Sequence, residues 1–272
     1  MMRGVAHRTV QRFRGGALEG PAEDDVVGEE PLEIRAAGET LAVTMRTPGA
    51  DRELAVGFLF AEGVIGSRDD ISSVSHCGRP DQEGFGNTID VRPGGGADFD
   101  LERVSATRRG TLTTAACGVC GRRSVSDVLE RCKPLPDGPI VAAQSIFAAV
   151  EGLRSRQPNF SRTGGIHAAA LLDASGATLA AFEDIGRHNA LDKAVGALVL
   201  SARLPEAALL VVSGRASFEV VQKASRAGVR IVASVSAASS LAIDLAVQTR
   251  ITLCGFVRGE SMTVYSHAER IA

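Results

Sequence analysis

The sequence predicts an α/β protein in two parts, a small α+β unit over residues 31–109 and a larger α/β unit over 125–272. From residue 166 onward, continuous apolar strands alternate with helical stretches, the pattern of a mixed, largely parallel sheet buried on both faces. Between the units, residues 110–124 hold three glycines and no usable periodicity, which predicts a mobile loop.

Taken in order, residues 1–30 are first basic and then acidic, with few large apolar side chains, and predict a tail that does not pack. Leu32–Ile34 and Leu41–Met45 read as strands joined near Gly38. Asp51 is a candidate cap for a helix to about Gly63, with Leu54, Phe58 and Leu59 on one face. Strands follow at Ile71–Ser75 and Thr88–Val91, then a turn at 93–97. Past the loop, Ser124 or Ser126 opens a helix through Leu129, and 133–139 is a Pro-rich linker. A helix over Ser145–Gln157 stops before Pro158. Ile166–Leu172 and Thr178–Phe182 form a hairpin about the turn at 173–176. Helices over Asn189–Ala202, Ser217–Ala227 and Ala238–Thr249 then alternate with strands over Ala207–Val212, Val229–Val235 and Ile251–Phe256. Met262–Tyr265 is a last strand. Right-handed crossovers gather the loops after these strands along one sheet edge.

The composition is that of an ordinary globular chain, 44 % hydrophobic and 23 % charged with a net charge of -2. That charge gives no electrostatic case for nucleic acid. No run approaches the ~20 apolar residues of a membrane span, and no apolar run follows Arg3, Arg8, Arg12 and Arg14 to make a signal peptide. The expectation is a cytoplasmic protein without a membrane contact. Five cysteines, an odd number, do not suggest a secreted disulfide framework.

Cys117-Gly118-Val119-Cys120 is the sharpest feature. A CxxC can be half a zinc site, a redox pair, or a nucleophilic thiol with a neighbour. Structural zinc needs four ligands, and His76, Cys77 and Cys132 stand at irregular spacings, so no resident metal is expected. A thioredoxin-type pair belongs between a strand and a helix, whereas here the preceding residues are Thr, Ala and Gly. Flanking glycines and Arg122-Arg123 argue against two inert buried thiols, and the guanidiniums favour the thiolate.

Three loop starts suit an anion. Glu183–Asn189 lies between a strand and a helix, with Asn189 as candidate cap and Arg187 and His188 beside it. The plain alternative is a capped turn in which Asp184 pairs with Arg187. Ser213-Gly214-Arg215 and the hydroxyl-rich 234–240 repeat the arrangement, and together they suggest a site for a phosphate-bearing ligand. The turn Phe256–Ser261 by itself reads as a charged hairpin tip. His167 reads as a core residue, and His267 carries no signal.

The segments TTAACGVCG (113–121), SRTGGIHAAAL (161–171), FEDIGRHNALDK (182–193), VVSGRASFEVVQKA (211–224) and LCGFVRGESMTVYS (253–266) occur in one order. With them the chain resembles the formate dehydrogenase accessory sulfurtransferases, the FdhD family, over about 30–272. The resemblance implies a sulfurtransferase that takes a persulfide from a cysteine desulfurase. It passes the sulfur to the bis(molybdopterin guanine dinucleotide) molybdenum cofactor, a bound substrate, for a client formate dehydrogenase. It implies the persulfide on Cys117 and an accessory role for Cys120. It places the cofactor-binding segment at Phe256, Val257, Arg258, Gly259, Glu260 and Ser261, a homodimeric state, and a three-layer, cytidine-deaminase-like larger domain. The deaminase zinc signature is absent, because Cys117 follows Ala116 rather than proline, so the fold would not bring that chemistry. A rival reading is a non-catalytic chaperone that binds the cofactor, its CxxC merely holding a loop.

Overall fold

The structure, a computed structural model, describes residues 4–78, 85–94, 99 and 132–272. The expected CxxC loop at 110–124, with Cys117 and Cys120, and the expected helix before Leu129 lie outside the described residues.

The first departure from expectation is at the N-terminus. Residues 5–27 form a hairpin of β1 (Val5–Arg14) and β2 (Ala17–Val27), not an unpacked tail. Gly15 and Gly16, with φ of 57° and 87°, supply the two left-handed residues of a tight hairpin turn. Across the ribbon His7 meets Asp25 at 2.7 Å and Arg12 meets Asp24 at 3.4 Å. Arg162 then ties Asp25 to the body at 2.6 Å. Composition fails to reveal this ribbon because alternating charge pairs and a two-glycine turn build it, with little apolar burial.

Strands β3 (Glu30–Ala36), β4 (Glu39–Arg46), β5 (Ile71–His76) and β6 (Thr88–Pro93) make a four-stranded sheet of order β4-β3-β6-β5. Helix α1 (Asp51–Glu62) covers it. Asp51 sits inside the first turn and Ala50 takes the cap position, because the Asp51 carboxylate is drawn away to Arg46 at 3.0 Å.

The second sheet has six strands, β7 (His167–Leu172), β8 (Thr178–Asp184), β9 (Leu209–Val212), β10 (Ile231–Ser234), β11 (Thr252–Arg258) and β12 (Ser261–Ser266), in the order β12-β11-β10-β9-β7-β8. It is mixed. Parallel pairing covers the junctions β9–β10 and β10–β11 rather than most of the sheet, because hairpins at both margins return the chain without a crossover. Helix α2 (Ala143–Ser155) covers one face, and a short α3 (Pro158–Thr163) begins at the proline that was expected only to end it. Helices α4 (Arg187–Leu200), α5 (Phe218–Arg226) and α6 (Ser240–Thr249) cover the other. The period of two sorts each strand between these layers: Ala168, Ala170 and Leu172 face α2, while Ala169 and Leu171 join the α4 side.

The expected division into two units separates two sheets but not two cores. Leu32, Ile34, Leu54 and Leu59 share one buried cluster with Leu191, Val195 and Leu210. Helices α1 and α4 make the join, and their backbones touch. A Cβ on Gly57 would lie 1.9 Å from the Asp192 carbonyl oxygen, and one on Gly196 would lie 1.9 Å from that of Glu53. No helix among the described residues is long and apolar enough to cross a membrane.

Candidate functional site

Strand β8 is antiparallel to β7, and β7 to β9, so β8, β9, β10 and β11 all end on one edge of the sheet where β7 begins. The loops after them converge there, as the sequence leads one to expect. Ser213 brackets the start of β7: its backbone N–H donates to the Ala168 carbonyl, and its Oγ accepts from the Ala168 N–H at 2.9 Å. Ser234 Oγ donates to the Gly214 carbonyl at 2.6 Å and accepts from the Ser236 N–H. Phe256 N–H donates to the Ser236 carbonyl at 3.0 Å. Gly255 allows that approach, since a Cβ there would lie 2.9 Å from the Tyr265 ring. Phe256 itself takes a left-handed backbone, φ 52°, and leaves its ring 46 % exposed.

Between this edge and α2 opens a cavity of about 650 Å³, with Arg154, Gln157, His167, Ser213, Val257 and Arg258 in its wall. Gly164, Gly165 and Gly259 complete its rim. Arg154 and Arg258 are exposed, and neither has a carboxylate partner among the described residues. On the adjoining loops Arg215 is exposed and Arg187 half-buried, and neither has a carboxylate partner among the described residues. Glu151 is the cavity's own carboxylate. His167 is half-buried, and burial lowers its pKa below the ordinary histidine value, the Arg187 charge adding to the effect. A neutral imidazole with one donor and one acceptor is therefore the form this wall presents at neutral pH. Gln157 is 6 % exposed, and its Nε2 has no hydrogen-bond acceptor among the described residues.

The Glu183–Asn189 loop is built differently from the capped turn foreseen. Asp184, fully buried, pairs with Lys193 at 2.7 Å and not with Arg187. It also accepts from the N–H groups of Gly186 and Thr47, and Lys193 donates to the Thr47 carbonyl. Gly186 is the cap of α4. Asn189 instead turns inward to donate to the Met45 carbonyl at 2.8 Å and to Asp184 at 3.0 Å. These groups lock the loop to the first sheet, and they are spent on structure. Arg187 is left over: its Nε donates to His188 Nε2 at 3.1 Å.

Of the residues singled out from sequence, Ser213, Val257, Arg258 and Gly259 line the cavity together. Gly214 lies behind it, where a Cβ would sit 3.3 Å from His167 Nδ1 and 3.7 Å from Arg187 Cβ. Arg215, Phe256, Glu260 and Ser261 are exposed on the same edge but outside the cavity wall, and His188 is buried. Sequence reading took His167 for a core residue, whereas it is half-buried in the cavity wall, and it passed over Gln157 and Arg154. The glycine pair before His167 was the available signal, since it leaves room beside the ring. Nothing local marks Arg154, which arrives on α2, or Gln157, which caps α3.

A sequence profile described as the FdhD/NarQ family matches residues 27–272. Among curated proteins, a sulfur carrier protein FdhD of Anaeromyxobacter dehalogenans is 55 % identical, covering 98 % of this chain and 93 % of its own length. One from Mycobacterium tuberculosis is 47 % identical, covering 98 % of each. A crystal structure of a putative formate dehydrogenase accessory protein from Desulfotalea psychrophila superposes with a TM-score of 0.78 at 24 % identity. It covers 99 % of this chain and all of that one, and at that identity it speaks for the fold alone.

Proposed function

The chain belongs to the FdhD/NarQ family, and from that premise we propose that it is a sulfur carrier whose Cys117 holds a persulfide between a cysteine desulfurase and a molybdenum cofactor. The Cys117 thiolate attacks the terminal sulfur of the donor's cysteine persulfide. A new S–S bond forms on Cys117, the donor's S–S bond breaks, and the donor cysteine leaves as its thiolate, with no net redox change. Cys120 is the accessory thiol beside it. The acceptor is bis(molybdopterin guanine dinucleotide) molybdenum, bound as substrate on its way to formate dehydrogenase.

The observation that carries the acceptor half of this reading is the cavity edge, where Arg154 and Arg258 line a partly apolar pocket and Arg187 and Arg215 stand on the adjoining loops, all four without carboxylate partners among the described residues. Pyrophosphates suit Arg154, Arg187, Arg215 and Arg258, because guanidinium–phosphate bonds are charge-assisted and often bidentate. The cavity's apolar wall and the neutral His167 suit the guanine end. The Phe256–Ser261 turn contributes Val257, Arg258 and Gly259 to the wall and exposes the Phe256 ring beside it.

Mass spectrometry after incubation with a desulfurase and cysteine tests the sulfur half. A one-sulfur increment on the peptide bearing Cys117 supports it. A chain that binds guanine nucleotide yet never gains that sulfur is the cofactor-escorting chaperone instead.

A further inference from the structure

Among the described residues Arg187 makes one side-chain bond, and the nature of that bond decides where its charge points. Its Nε donates to His188 Nε2 at 3.1 Å, so Nε2 is an acceptor and carries no proton. On the opposite side of the ring, His188 Nδ1 lies 2.9 Å from Glu219 Oε2. A carboxylate only accepts, so the proton is on Nδ1. Ser217 Oγ, 3.3 Å from Nε2, is the other neighbour of that nitrogen and is free to donate to it. The three contacts agree on a neutral His188 in the Nδ1–H form.

Glu219 is fixed in turn. Its Oε1 lies 3.6 Å from Lys223 Nζ, and Lys223 also holds Asp192 at 2.5 Å, with both lysine and aspartate buried. Burial opposes the Lys223 charge, but Asp192 and Glu219 outweigh it and hold its pKa above the ordinary lysine value. The ammonium, already bonded to both Asp192 oxygens, draws Glu219 Oε1 toward it as a second ion-pair partner. One carboxylate oxygen is left for His188.

We infer that Glu219 is a positioning residue for the ligand site: by fixing the His188 tautomer it makes Nε2 the acceptor that holds Arg187 Nε. Arg187, whose Cβ lies against Gly214 next to the cavity-lining His167, thereby keeps its outer guanidinium nitrogens, which have no partner among the described residues, at this edge of the sheet. The inference rests on the reading that Arg187 meets the ligand's phosphates. Glu219 touches no ligand in this scheme and acts only through the ring.

The test is Glu219→Gln in the full-length protein. Lys223 claims the amide oxygen, so the amide NH₂ faces His188 Nδ1 and forces the proton to Nε2. An Nε2–H cannot accept from Arg187. Long-range ¹H–¹⁵N spectra of the ring nitrogens, with His188 assigned by its loss in His188→Gln, should show Nδ1–H in the wild type and Nε2–H in Glu219→Gln. GDP affinity, measured by calorimetry, should fall about tenfold in Glu219→Gln, the scale of one charge-assisted hydrogen bond. The same substitution made on Arg187→Ala should cost nothing further. Ser217→Ala, which removes only the second neighbour of Nε2, should keep the Nδ1–H form and GDP affinity within about twofold. A wild-type His188 protonated on Nε2 overturns the inference whether or not any variant folds. So does unchanged GDP affinity in Glu219→Gln when Arg187→Ala is weakened, or losses that add in the double variant. If Arg187→Ala itself binds GDP normally, the placement of the ligand is wrong, and the tautomer alone then decides whether Glu219 sets the Arg187 contact.

Discussion

Replacing Gly57 with alanine should destabilise the fold although alanine is the better helix former. Gly57 lies mid-helix on α1, where the exchange by itself favours the helix by about 1 kcal/mol. Against this, the new Cβ would stand 1.9 Å from the Asp192 carbonyl oxygen and 2.6 Å from its carbonyl carbon, both α4 backbone. Real Cβ contacts stay beyond 3.0 Å, so the helices must separate by roughly an ångström across a joint that also seats Gly196 on Glu53. Backbone cannot rotate aside as a side chain can. Overpacking costs about 1–3 kcal/mol and occasionally more, and this case belongs at the upper end, leaving a net loss of about 2 kcal/mol. The internal control is Gly152 on α2, where a Cβ meets nothing within 4 Å and the same exchange should stabilise by about 0.5–1 kcal/mol. Urea denaturation of both variants measures the two signs side by side. A Gly57→Ala protein as stable as wild type would refute the close-contact argument, because the propensity gain alone cannot hide a true clash.

Other outcomes follow from the same structure. Cys117→Ala should abolish persulfide loading and client activation, while Cys120→Ala keeps part of both; full client activity without Cys117 would end the relay. Arg258→Ala or Arg154→Ala should weaken GDP binding by roughly 1.5–3 kcal/mol each while Cys117 still loads, and calorimetry showing wild-type affinity in both would move the ligand out of the cavity. The hydrogen bond from Arg162 holds the Asp25 carboxylate below its ordinary 3.8, with the neighbouring charges assisting. A depressed acid stabilises the fold above its unfolded pKa and loses that contribution as pH falls through the folded value. The β1–β2 ribbon should therefore loosen below about pH 4, read as faster amide exchange in 17–27. Arg162→Ala should remove that acid-dependent step, and an unchanged exchange profile would mean the anchor lies elsewhere.

The order of strands and helices from 166 to 266 was legible in the chain because it depends on local periodicity. The continuous apolar run 168–172 marks a strand buried on both faces wherever it packs, and the converging loops follow from strand direction. The N-terminal ribbon was legible only through its Gly15-Gly16 turn, since charge pairs leave no apolar period. What tertiary structure alone decided is partnership. Asp184 had Arg187 three residues away, yet it pairs with Lys193 and Thr47, because a buried carboxylate needs a cation and donors that are buried with it. That choice frees Arg187 for the sheet edge. Likewise Arg154, Gln157 and His167 stand far from Arg258 in sequence and meet it only because α2, the α3 cap and the start of β7 all reach the sheet edge where β11 ends. A local pattern records which face of an element is apolar; it holds no record of which distant group will lie against it, since that is set by the packing of whole layers.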